Sequence, residues 1–324
     1  MSNSHINQPR AYGGQAVIEG VMIRGIDSMA VAVRRPDSTI AVRSEHLSRL
    51  YRGPWRRIPL VRGVLTLWET LALGMGALTW SSAVANDNVD QDGQASPLGL
   101  SGLAALVLSL CFALTVFFAG PVLLTAWLDR VMPAGWLVIA TEGALRVGLL
   151  VGYVWAIGRS DDIRRVFQYH GAEHMTIHAY EHGAFRSGHV QVAAVRRFEK
   201  AHPRCGTSFL LTVALVAVVV FMLLGTPPLW LRVLSRIALI PAIAAVAFEA
   251  IRFAGQHAEV PMVRWLFAGN LALQRLTTRD PDDEQVQVAI AALERVLAED
   301  RRLAEEASPA RTELAPSPLL GQTD

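Results

Sequence analysis

Leu98-Gly-Leu-Ser-Gly-Leu-Ala-Ala-Leu-Val-Leu-Ser-Leu-Cys-Phe-Ala-Leu-Thr-Val-Phe-Phe-Ala-Gly-Pro-Val-Leu-Leu-Thr-Ala-Trp127 runs for thirty residues without a charge. About 20 apolar residues in helical form cross a hydrocarbon core of about 30 Å, so this stretch predicts a transmembrane helix. Three further segments repeat the signal: Ala134–Ile157, Thr207–Leu224 and Leu229–Phe253. Asp129-Arg130-Val-Met-Pro133 joins the first two and Gly225-Thr-Pro-Pro228 the last two, so the four spans form two tight hairpins. Composition agrees with a membrane protein. Charged residues are 18% of the 324 positions and hydrophobic residues 52%, against about 25% charge in ordinary soluble domains.

Lysine and arginine set the orientation. The N-terminal segment, the C-terminal segment and the central loop (Arg159, Arg164, Arg165, Arg186, Arg196, Arg197, Lys200, Arg204) are rich in them, and the hairpin turns are not. The positive-inside rule then puts both termini and the central loop in the cytoplasm. Met1–Arg10 has no apolar core of a signal peptide, and Cys111 and Cys205 make no disulfide framework. The net charge of +2 says nothing about nucleic acid, because the basic residues sit in blocks between apolar segments, but without an aromatic-plus-basic platform nucleic acid is not an expected partner. Membrane lipid, another membrane protein or a second copy of the chain is.

The remaining segments divide the chain into a mainly α membrane protein with a small N-terminal β element and cytoplasmic helices. Residues 1–61 hold the β element: Met29-Ala-Val-Ala-Val33 and Thr39-Ile-Ala-Val-Arg43 flank a Pro36-Asp37 turn, the pattern of a hairpin. Residues 62–97 form a helix, interfacial or weakly spanning because Glu69 and several glycines interrupt it, followed by an acidic linker. Residues 98–158 and 207–253 are the two hairpins, with the loop 159–206 between them. Val260–Leu276 reads as an interfacial helix anchored by Arg264, Trp265 and Arg275. Asp280-Pro281-Asp282-Asp283-Glu284 opens another, with Asp280 as its cap and Val286, Ile290, Leu293 and Leu297 as its apolar stripe. The Ala-, Glu- and Pro-rich tail, 301–324, has the composition of a disordered segment.

Five of the nine histidines, His170, His174, His178, His182 and His189, fall within twenty residues of the central loop. Asp161–His182 predicts a helix, with Ser160 or Asp161 as cap and Gly183 as terminator. Residues four apart share a helix face, so His170 and His174 can chelate one ion. His170-Gly171-Ala172-Glu173-His174 has the His-x-x-Glu-His spacing of an inverted zinc-protease motif. In that scheme two imidazoles hold a divalent metal, zinc by preference, and Glu173 is the catalytic base acting on a water of lowered pKa. Catalytic zinc takes three protein ligands, and His202 or Cys205, at the mouth of the third span, is the expected third. Glu181 returns to the same stripe but lies too far along the axis. A solvated histidine-bearing surface against lipid headgroups, and a metal clip without catalysis, are the blander readings. Gly171 in mid-helix costs about 1 kcal/mol against alanine, which fits a close approach to the backbone and equally fits plain helix packing.

Charged residues inside the spans are the second signal, since such groups are costly in lipid. Glu142 and Arg146, four apart, can pair on one face, and Arg236 and Glu249 lie in the fourth span. An ion pair that locks helices together is the reading favoured for Glu142 and Arg146.

Gly13-Gly-Gln-Ala-Val-Ile-Glu-Gly-Val-Met-Ile-Arg-Gly25, Phe167-Gln-Tyr-His-Gly-Ala-Glu-His174, His202-Pro-Arg-Cys-Gly-Thr-Ser-Phe209 and Leu276-Thr-Thr-Arg-Asp-Pro-Asp282 together resemble the YqhQ family of bacterial polytopic membrane proteins. The family is catalogued as a domain of unknown function and sometimes described as metal-dependent enzymes. The resemblance covers roughly Pro9 to Leu297. It implies a multi-pass protein of the bacterial inner membrane, and it marks Glu19, Arg24, His170, Glu173, His174, Tyr180, Glu181, His202, Arg204 and Cys205 as matching polar positions. Met175, His178 and His182 depart from the family pattern, which weighs against the last two as essential ligands. A metal-dependent hydrolase is the function expected, with a non-catalytic membrane scaffold or regulator as the alternative.

Overall fold

The alternation of side chains along the N-terminal strands decides what the rest of the chain must cover. In the computed structural model, which describes residues 12–48, 58–89, 99–128, 135–201, 206–257 and 260–306, the chain is mainly helical with one sheet. Strands β1 (Gly13–Val17), β2 (Gly20–Arg24), β3 (Ser28–Arg34) and β4 (Ile40–His46) pair antiparallel in sequential order. Along β2, Val21 and Ile23 enter one core with Ala30 and Ala32 of β3, whereas Met22 enters another with Met29, Val31 and Val33. Successive residues point to opposite faces, so a sheet apolar on both faces needs a helical layer on each. The expected hairpin is therefore the second half of a four-stranded meander buried on both sides.

Helix α1 (Val61–Ala85) covers one face with Ala77, Trp80 and Val84. Its other half leaves the sheet and reaches the apolar helices. These are α2 (Leu100–Thr125), α3 (Gly135–Ile157), α5 (Gly206–Leu224), α6 (Leu229–Ala238) and α7 (Ile240–Gln256), with α4 (Asp161–Glu181) inserted after α3. Two more helices, α8 (Pro261–Leu266) and α9 (Ala268–Thr277), precede α10 (Asp283–Glu306). Helices α4 and α10 cover the second face of the sheet, through Tyr169, Ala172 and Ile177 and through Val286, Ala289, Leu293 and Val296.

Among the described residues, α2 and α3 are long and apolar enough to cross a membrane, and α6 with α7 makes a third if the bent pair counts as one. Ile139 of α3, Ala217 and Phe221 of α5 and Ile243 of α7 share a core. Val154, Leu211 and Leu273 form another, against which Phe167 of α4 packs. That second cluster joins the apolar helices to the helix carrying the histidines.

Several local expectations change. The fourth apolar segment is bent by 49° between α6 and α7, where Pro241 opens α7 without an N–H to give. The single helix expected over Val260–Leu276 is two, broken at Phe267. Asp282, not Asp280, caps α10: its carboxylate accepts the Gln285 N–H at 2.7 Å, and the Gln285 side chain accepts the Asp282 N–H at 2.9 Å, a reciprocal capping box. The same helix runs past Asp300 to Glu306. The 129–133 turn and residues 307–324 lie outside the described residues.

Candidate functional site

Helix α4 starts with Asp161 and Asp162 in its first turn, where acids suit the positive end of the helix dipole. It ends at Gly183, whose φ of +83° is the left-handed conformation of a helix stop. Within it, the four-residue spacing sets the His170 and His174 rings edge to face, centroids 4.4 Å apart. Ligand atoms of His170, Glu173 and His174 all lie within 4.8 Å of one another. Glu173 and His174 are buried, at 5% and 2% exposure, and His170 is half-buried.

Both imidazoles are oriented by backbone. His170 Nδ1 lies 2.8 Å from the Thr277 carbonyl and His174 Nδ1 2.6 Å from that of Lys200. A ring that donates from Nδ1 to a carbonyl presents Nε2 as the coordinating nitrogen, the usual outer support of a metal-binding histidine. His174 Nε2 is 3.5 Å from a Glu173 oxygen. Strand β1 closes over the carboxylate: a β-carbon on Gly14 would stand 2.7 Å from Glu173 Cγ.

The two loops that supply the carbonyls hold each other. Lys200 Nζ pairs with Asp280 at 2.6 Å, and Arg196 pairs with Asp283 and donates to the Pro281 carbonyl at 2.9 Å. The Arg279 N–H donates to the Phe167 carbonyl at 2.9 Å, and Gln168 reaches the Asp280 carbonyl at 3.3 Å. The Leu276–Asp282 stretch thus lies along α4 at Gly171, the close approach that the mid-helix glycine suggests.

Other residues singled out from the sequence lie elsewhere. Glu19, at φ +52° in the β1–β2 turn, binds Arg165 and accepts from the Tyr169 hydroxyl at 3.2 Å. Burial, with that carboxylate alongside, pushes the Tyr169 phenol well above its ordinary range, and the Glu19 hydrogen bond raises the Arg165 guanidinium further. Arg24 pairs with buried Glu69 of α1 at 2.9 Å. Glu249 of α7 pairs with Arg62 at the start of α1, the Nε to Oε1 distance being 2.7 Å. Tyr180 stacks edge-on against Tyr12 at 5.0 Å. Glu181 is the last residue of α4, about 10 Å along the axis from His174 at 1.5 Å per residue. His178 reaches the Glu199 carbonyl at 2.7 Å. His202, Arg204 and Cys205 lie outside the described residues.

Glu142 does pair with Arg146, at 3.0 Å, but it also takes Arg232 at 2.9 Å and Arg236 at 3.1 Å. All four are buried. Arg146 Nε donates to the Phe117 carbonyl at 2.9 Å, in a π-helical turn of α2 over Thr115–Ala119. The pair is one part of a cluster binding α2, α3 and α6, and helix-face spacing finds only Glu142 with Arg146. Asp300 was missed altogether. It is buried in α10 and accepts from Tyr12 (2.9 Å), Ser28 (2.7 Å) and the Ile26 (2.8 Å) and Asp27 (3.1 Å) N–H groups.

Fold and site together define a chain with helices long and apolar enough to cross a membrane, a sheet domain buried on both faces, and a His-Glu-His group able to hold a metal ion where the two meet. The chain belongs to the family described as "Protein of unknown function (DUF1385)", whose model matches residues 58–299. It is 36% identical over 301 residues to "Uncharacterized protein YqhQ" of Bacillus subtilis (strain 168), covering 89% of this chain and 93% of that one. No solved structure matches.

Proposed function

We propose that this is a four-span protein of the bacterial inner membrane, both termini cytoplasmic, and a metal-dependent hydrolase acting at the membrane surface. The observation that carries the reading is the pair of imidazoles, each held through Nδ1 by a backbone carbonyl, beside a buried glutamate. Two imidazoles with one further protein ligand suit a catalytic zinc ion. His202 or Cys205 is the proposed third ligand, since His202 follows Lys200, whose carbonyl meets His174, by two residues. Such an ion, when bound, supplies Lewis acidity and lowers the pKa of a water to about 7. Glu173 takes the proton, while His170 and His174 keep their orientation without rearrangement. The nearby Val154, Leu211, Leu273 and Phe167 cluster supports a substrate presented at the membrane.

The test is elemental analysis of the full chain purified in detergent. About one zinc per chain is expected, lost in His174→Ala and retained in Glu173→Gln. A wild-type protein without stoichiometric metal rules the proposal out.

One observation favours the second reading, a scaffold for another membrane protein or a second copy. The apolar window of α2 is 0% buried within the chain. Crosslinks from α2 to a single partner, with no metal present, would favour it.

A further inference from the structure

Strand β1 is the sheet's first edge, and it lies on the proposed metal group. The Arg34 N–H bonds to the Glu19 carbonyl and the Gly25 N–H to that of Ser28, each at 2.8 Å. Odd-numbered residues of β2 therefore bond toward β3. Bonded and non-bonded pairs alternate in an antiparallel ladder, so Gly20, Met22 and Arg24 bond toward β1, to Val17, Gln15 and Gly13. Gly14 and Ala16, opposite Ile23 and Val21, consequently turn their N–H and C=O groups outward. No described residue hydrogen-bonds them.

Edge strands are ordinarily blunted by charge, proline or a bulge. Gly13-Gly-Gln-Ala-Val17 carries none of these. A β-carbon on Gly13 would meet nothing within 4 Å, whereas one on Gly14 would press on the Glu173 carboxylate. The edge thus offers the outward N–H and C=O groups of Gly14 and Ala16, and the face of the strand at Gly14 touches Glu173.

We infer that β1 is the docking strand for an extended polypeptide, which is the substrate class of the site. A peptide added to this edge pairs with Gly14 and Ala16, two residues apart, through main-chain hydrogen bonds. Its backbone is laid past Glu173, His170 and His174. Hydrolysis there adds the elements of water across the amide, the hydroxyl to the carbonyl carbon and the proton, through Glu173, to the leaving nitrogen. A lipid ester has no repeating backbone donors and acceptors to match this edge. The inference rests on the hydrolase reading for its chemistry, but not for its binding geometry.

The experiment uses the zinc-loaded full chain in detergent micelles and five probes: acetohydroxamate, acetyl-trileucine hydroxamate, acetyl-trileucine amide, and each of the two peptides N-methylated at its central amide. The peptide hydroxamate is expected to bind at least tenfold tighter than acetohydroxamate. N-methylation, or Ala16→Pro, should remove that gain. Ala16→Pro deletes an outward N–H and spares the ladder to β2, a position where an edge strand tolerates proline. Should that variant fold poorly, the methylated probe carries the test on the wild-type chain. Equal affinity of methylated and parent peptides, or no gain over acetohydroxamate, overturns the inference. If acetohydroxamate does not bind while the peptide amide binds and loses its binding on methylation, the edge stands and the hydrolase reading falls.

Discussion

The Arg279 carbonyl oxygen occupies the space in which a β-carbon on Gly171 would stand. The glycine lets the 277–281 loop lie against α4, and the same loop offers the Thr277 carbonyl that orients His170. Gly171→Ala raises helix propensity and should still lose, because backbone cannot move aside as a side chain tip can. We expect a drop of roughly 1–3 kcal/mol in stability, read as a lower melting temperature, together with reduced zinc content. Gly76→Ala, where nothing lies within 4 Å, should be neutral or stabilising. Matching behaviour of the two variants would contradict this account.

Glu142 is the shared partner of three buried guanidiniums. Removing one partner of a buried ion pair costs about 3–5 kcal/mol because a charge is left uncompensated. Glu142→Gln should therefore sharply lower the yield of folded protein and its melting temperature in detergent. Adding Arg146→Met to it should recover part of the loss. A double variant no better than the single one would show that the cluster does not act as a unit.

Asp300 accepts four hydrogen bonds from the far side of the sheet domain. Asparagine has the same shape but turns one acceptor into a donor facing N–H and O–H groups. Asp300→Asn should cost on the order of 2–3 kcal/mol, measurable by thermal unfolding with far-UV dichroism as the probe. A loss below about half a kcal/mol, the range of an ordinary surface change, would mean that Asp300 is not holding β2 and β3 to α10.

Glu299 is hydrogen-bonded by Arg302 at 2.6 Å and His46 at 2.9 Å, and these hold its carboxyl at about 2. A carboxyl depressed in the folded state adds stability that is complete above its unfolded value, about 4.3. That stability is lost as pH falls through about 2. From about pH 4.3 downward the stability gap between wild type and Glu299→Gln should shrink. Melting temperatures of both proteins across that range provide the check; a gap that widens with acidification would be the wrong sign.

Much of α4 is readable before any fold is known. Asp161 and Asp162, the histidine spacing and Gly183 bound it to within a residue of its observed end, since caps and i,i+4 neighbours act within one or two turns. Glu19 and Arg24, by contrast, attract notice as polar residues in a glycine-rich motif, yet their partners Arg165 and Glu69 are set by how α4 and α1 pack on the sheet. Lys200 and Thr277 act through carbonyls. Every residue has a carbonyl, so neither side chain signals the role. The bend at Pro241 was open to reading and hidden by the hydropathy around it.

Sequence alone determined the apolar lengths, the hairpin around Pro36-Asp37, the span of α4 and the adjacency of His170 to His174. Each follows from a period, a turn or a cap that acts over a few residues. Only the tertiary structure decided that β1 lies on Glu173, that two distant loops hold the imidazoles, and that Glu142 gathers arginines from two helices. Those relations join residues tens to hundreds of positions apart, and they are selected by burying both faces of one sheet at once, which no local stretch encodes.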